Sequence, residues 1–173
     1  LIDEKLGGTT PLEVILKFSK KKELKADQED DFEDWGEDEE KNNDKYWFTK
    51  DKIDKIANVH NYLDSLPQVG KVLSFSSIID VATLLNNNKP LGTLEMGVLY
   101  TKIPESIKIE IIDPYISIKD NEARINLRII DSQENLRRNE LIKKIKYDLK
   151  NKLNLKEDEY KLAGVLILFN NLL

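Results

Sequence analysis

A chain of 173 residues with 40% hydrophobic content is long enough for one globular domain with a real core, or for one domain carrying a large insertion. A formal net charge of −5 argues against a nucleic-acid module, which needs a basic stripe to meet phosphates. The absence of cysteine removes disulfide and thiolate chemistry. No stretch reaches the roughly 18 apolar residues of a spanning helix, and no signal peptide is recognisable.

In chain order, Leu1, Ile2 and Leu6 followed by Gly7-Gly8 read as the last turns of an amphipathic helix closed by a glycine cap, as if cut from something longer. Leu12, Val14, Leu16 and Phe18 alternate with Glu13, Ile15 and Lys17, which predicts a half-buried strand. Residues 19–44 lose all apolar periodicity, and ten acids fall between Asp27 and Glu40. Like charges at that density repel, so an exposed, mostly mobile insertion loop is expected. Thr49 is a plausible N-cap, and Ile53, Ile56, Val59, Tyr62, Leu63 and Leu66 follow at helical spacing until Pro67. Val69 to Phe75 reads as a second strand, weakened by Gly70.

Ser76 to Asn88 and Leu91 to Lys102 are helix-like, and Pro104 opens a third short helix that Asp113-Pro114 ends. Together residues 76–117 form a helical insertion. Ala123, Ile125, Leu127 and Ile129 alternate with Arg124, Asn126 and Arg128 as a third strand. Asp131 with Glu134 resembles a capping box. Leu141, Ile142, Ile145, Leu149 and Leu153 make one helical face, and Tyr160 to about Leu168 reads as a last strand, apolar on both sides. The order is βαβ, helical insertion, βαβ. It predicts an α+β, ferredoxin-like split βαβ fold with a four-stranded antiparallel sheet and the insertion between strands 2 and 3. Glu13 and Lys17 should then lie near Arg124 and Arg128 on the open face.

A search for chemistry is mostly negative. His60 is the only histidine and lies beside an apolar stripe. A metal ligand needs partners, and neither a second His nor a Cys exists, so a boundary histidine is the simpler reading. Gly7-Gly8-Thr9-Thr10 lacks the frame of a P-loop. The acidic run lacks the spacing of a calcium loop, leaving weak, unspecific cation binding at most. The third strand offers Arg124, Asn126 and Arg128 where an RNA-binding sheet would carry aromatics. No catalytic, cofactor-binding or metal-ligating residue is expected, and no enzyme reading survives.

Several strings, in order, carry a family resemblance. They are Gly7-Gly8-Thr9-Thr10-Pro11-Leu12-Glu13-Val14-Ile15, Tyr46-Trp47-Phe48-Thr49, Tyr62-Leu63-Asp64-Ser65-Leu66-Pro67 with Val69-Gly70-Lys71-Val72, Ile112-Asp113-Pro114-Tyr115, Arg128-Ile129-Ile130-Asp131-Ser132, and the run from Leu162 to Asn171. The set resembles the first extracytoplasmic (porter) loop of RND-superfamily exporters of the MMPL type, the group that includes hopanoid transporters. It covers nearly the whole chain except the acidic insertion, which departs from the family pattern. The resemblance implies a periplasmic loop of an inner-membrane protein that moves lipids or other hydrophobic compounds by conformational change, driven by the proton gradient. It implies as partners the transmembrane helices and second porter domain of the parent, with a homo-oligomer open. The proton-carrying carboxylates of that family lie in membrane helices, so none is carried over. Two other readings stay open: the periplasmic domain of a Sec-type protein-export accessory subunit, and a freestanding ferredoxin-like module binding a small ligand. If the insertion forms a hydrophobic cleft with the core, Leu94 and Val98 are the candidate lining residues.

Overall fold

The computed structural model describes residues 2–19, 44–132 and 136–172. The expectation for the acidic stretch falls on residues 20–43, outside the described residues. A one-turn helix α1 (Ile2–Lys5) ends where the Gly8 N–H donates to the Asp3 carbonyl at 2.8 Å. Strand β1 (Thr10–Lys17) follows, then a short 3-10 turn (Lys45–Trp47), helix α2 (Lys50–Asp64) and strand β2 (Val69–Leu73). Next come α3 (Phe75–Leu85), α4 (Thr93–Lys102) and α5 (Glu105–Ile107), which runs on as a π-turn over Lys108–Ile112. A two-residue strand β3 (Ile116–Ser117) and the long β4 (Glu122–Ile129) precede α6 (Arg138–Asn151), β5 (Tyr160–Ala163) and α7 (Val165–Leu172).

The molecule is a mixed α/β protein with a five-stranded, wholly antiparallel sheet in the order β2-β4-β1-β5, with β3 pairing a free stretch of β4. The four-stranded expectation therefore needs correcting by one strand. Ile116 and Ser117, assigned to the helical insertion, pair with Ala123 and Glu122 instead. A two-residue strand is too short for any alternation to announce it.

The period-2 pattern explains the register of the rest. Leu12 faces Leu127, Val14 faces Ile125 and Leu162, and Val72 faces Leu127, so every inward side chain meets another inward side chain. These residues share one core with Ile56, Val59 and Leu63 of α2 and with Leu141, Ile142, Ile145 and Leu149 of α6. Gly70 does mark an irregularity, a register shift between Val69 and Lys71. A Cβ there would lie 2.4 Å from the Gly7 carbonyl carbon, so the two backbones can approach only because the residue is glycine.

Two further expectations are corrected. The last strand stops at Ala163 rather than near Leu168. Gly164 takes φ +111, a conformation closed to most residues, and the Ile167 N–H then donates back to the Gly164 carbonyl at 3.1 Å. The chain turns into α7 and buries Leu166 to 1% exposure. The capping box at Asp131 does not open α6, which begins seven residues later at Arg138. Glu134 lies outside the described residues, and the Asp131 carboxylate pairs with the Arg138 guanidinium.

Candidate functional site

Helices α3 and α4 close over an aromatic cluster at one side of the core. Phe48 is 1% exposed, with ring centroids 5.4 Å from Phe75 and 5.0 Å from Tyr100, and Trp47 stands edge-on to it at 5.4 Å. Such offset and edge contacts let opposed ring edges and faces attract. The cluster is fixed from below by Asn121, which is 8% exposed and takes φ 56. Its Oδ1 accepts from Trp47 Nε1 at 2.9 Å and Lys52 Nζ at 2.8 Å, while its Nδ2 donates to the Phe18 carbonyl at 2.7 Å.

Between the cluster and the helices lies an apolar pocket. Phe48, Phe75, Ile78, Ile79, Ala82, Leu91, Met96, Leu99, Tyr100, Ile103 and Ile112 line it. Its free volume of about 40 Å³ holds about three water-sized groups. The Lys108 ammonium sits 4.4 Å from the Tyr100 ring centre and 3.2 Å from Glu105 Oε2. Burial pushes the Tyr100 hydroxyl up to about 12, and the charges of Asp44, Asp113 and Glu105 add to the effect. The phenol is therefore neutral, in a site whose nearby carboxylates disfavour an anion.

Leu94 and Val98 do not line this pocket. Leu94 is 78% exposed and Val98 42% exposed. At 3.6 residues per turn they fall on the side of α4 opposite Met96, Tyr100 and Ile103, the residues that turn inward. The pocket lies between the helical excursion and the core. Helix α4 has apolar residues on both sides, and Met96, Leu99 and Tyr100 are those of its residues that line this pocket. Of fourteen large hydrophobics that are exposed among the described residues, nine belong to this excursion: Val81, Leu84 and Leu85 on α3, Leu94, Val98 and Leu99 on α4, and Ile107, Ile109 and Ile111 beyond it.

Elsewhere two polar clusters are accounted for by packing, while the buried Gln68 Oε1 and Asn126 Oδ1 have no hydrogen-bond partner among the described residues. His60 Nδ1 lies 2.9 Å from Ser74 Oγ, a geometry that superficially matches a base beside a nucleophile. Ser74 is fully buried, however, and its oxygen accepts from the Ser76 N–H at 3.1 Å to cap α3. The pair thus ties α2 to the start of α3. Asp148, 3% exposed, accepts from the Tyr62 hydroxyl at 2.8 Å and is flanked by Lys144 and by Lys152 at 3.1 Å. Hydrogen bonding by Lys144 first, then by Tyr62 and Lys152, holds its carboxyl down to about 2, while burial works the other way. Among the described residues no group of three or more His, Cys, Asp or Glu is placed to hold a metal ion. No helix among them is long and apolar enough to cross a membrane. Compared with known proteins, the chain matches no family model, no curated protein and no solved structure.

Proposed function

We propose that this chain is a porter-type domain of an RND/MMPL-like membrane exporter, an extracytoplasmic unit that passes lipids or other hydrophobic compounds by conformational change rather than by catalysis. The sheet order β2-β4-β1-β5, with two βαβ halves interleaved, supports the ferredoxin-like split topology that this reading requires. The observation that carries the functional reading is the concentration of exposed apolar side chains on α3, α4 and the π-turn, next to an apolar pocket lined by the same helices. Few side chains hold the cover in place: of the α4 residues, only Met96 and Gly97 are buried. A pocket of about 40 Å³ admits no lipid as it stands, so cargo would enter as α4 lifts from Phe48 and Phe75.

The test is a strain lacking the parent gene, its membrane lipids profiled after separating inner from outer fractions. A hydrophobic compound should accumulate in the inner fraction, and the intact gene should reverse this where one carrying Leu99→Asp with Ile103→Asp does not. An unchanged lipid profile in the deletion strain would overturn the proposal.

A further inference from the structure

The face of the sheet turned away from the core has a charge pattern of its own. Register places Lys17, Lys71, Arg124, Arg128 and Lys161 on it, against two strand carboxylates, Glu13 and Glu122, with Asp113 beside Ile15 and Arg124 at one border. Glu13 is taken by Arg124 at 3.7 Å and Glu122 by Lys17 at 3.6 Å. Among the side chains described, no carboxylate is ion-paired with the remaining three, Lys71, Arg128 and Lys161, and all three are exposed. A chain with net charge −5 thus shows a locally cationic sheet face.

The arrangement is ordered. Lys71 and Arg128 are cross-strand neighbours in one row, while Lys161 stands across from Ile15 in a row that also holds Arg124. Residues 124 and 128 are four apart on one strand, so the rows are about 13 Å apart. Between them runs a half-buried row of Leu73, Asn126, Glu13 and Ala163.

We propose that this open sheet face docks an acidic protein segment of a partner, one that presents carboxylates about 13 Å apart, as an extended segment does four residues apart. Charge complementarity selects an acidic occupant, and the pattern on the face selects protein over other polyanions. A nucleic acid would require a row of stacking side chains, and none of the outward strand residues is aromatic; a single ring, Tyr115, borders the face beside Ile15 and Arg124. A continuous anionic bilayer would press its charge on Glu13 in the central row, which spaced carboxylates avoid. A second copy docked by the same face would oppose like charges. The surface is separate from the apolar pocket, and its test is independent of the transport reading.

The experiment titrates the full chain with an extended peptide carrying glutamates four residues apart, read by chemical-shift changes. Binding should weaken about tenfold in Lys71→Glu with Arg128→Glu, and in Lys161→Glu to a smaller extent. It should weaken steadily with salt and vanish when the peptide glutamates become glutamines. Equal binding of the glutamine peptide, no binding at all, or tighter binding to phosphatidylglycerol vesicles or single-stranded RNA would overturn the proposal. So would carbodiimide cross-links joining Lys71 or Lys161 to carboxylates of residues 27–40 in the same chain, because the face would then be filled in cis.

Discussion

Asn121 offers the most informative single perturbation, since one buried side chain joins β1, the aromatic cluster and α2. In Asn121→Ala the Trp47 indole N–H loses its acceptor at 2.9 Å in a site where Trp47 is only 6% exposed. An unsatisfied buried donor costs about 1–3 kcal/mol. Losing the Lys52 contact adds about 1 kcal/mol, less than a charged hydrogen bond usually contributes, because half-buried Lys52 can turn to water. The backbone contributes separately: φ is 56, and alanine in the left-handed region costs about 1 kcal/mol more than asparagine or glycine does. The expected loss is therefore about 3–5 kcal/mol, read from the urea midpoint at unchanged slope. Asn121→Gly removes the same hydrogen bonds without the backbone penalty, so it should be about 1 kcal/mol more stable than the alanine variant. A loss below about 1 kcal/mol in Asn121→Ala would refute the hub described above. Equal stabilities of the two variants would refute the backbone part.

Asp148 sets an acid limit. Its carboxyl is depressed, so the stability it adds is fully present above the unfolded value near 4 and is lost as pH falls toward about 2. Lys144 and Lys152 are half-exposed or more, and after solvent screening roughly 1–2 kcal/mol should disappear across that window. Asp148→Asn should flatten this part of the pH–stability curve, and an unchanged curve would count against the assignment. Gly70→Ala should cost about 1–3 kcal/mol by driving a Cβ into the Gly7 backbone, measured by thermal unfolding. Phe48→Ala should cost about 3–5 kcal/mol and enlarge the pocket, so that a neutral dye such as Nile red gains fluorescence with the variant. Leu94→Asp, on the exposed side of α4, should leave stability within about 0.5 kcal/mol and dye binding unaltered.

What the residues determine alone is local. The alternation of Leu12, Val14 and Leu16, and of Ala123, Ile125, Leu127 and Ile129, fixes which side of β1 and β4 is buried, because a strand places successive side chains on opposite faces. The stripes on α2 and α6 fix their inner faces for the same kind of reason. Even the expected charge set on the open face was partly legible. Glu13 meets Arg124, whereas Lys17 meets Glu122 and Arg128 is left over.

Tertiary structure decides the rest. An apolar run reads alike as strand or helix, and only the positive φ at Gly164 turns the segment after Ala163 into α7. With apolar residues on both sides of α4, periodicity cannot say which side meets Phe48, and packing chose Tyr100 and Ile103 over Leu94 and Val98. Trp47 and Asn121 meet across 74 positions, and Tyr62 and Asp148 across 86. No spacing rule encodes such meetings, because sequence periodicity records how a residue faces its own element and not what stands opposite. The cationic sheet face likewise exists only through register, which brings Lys71, Arg128 and Lys161 from three separate strands onto one surface.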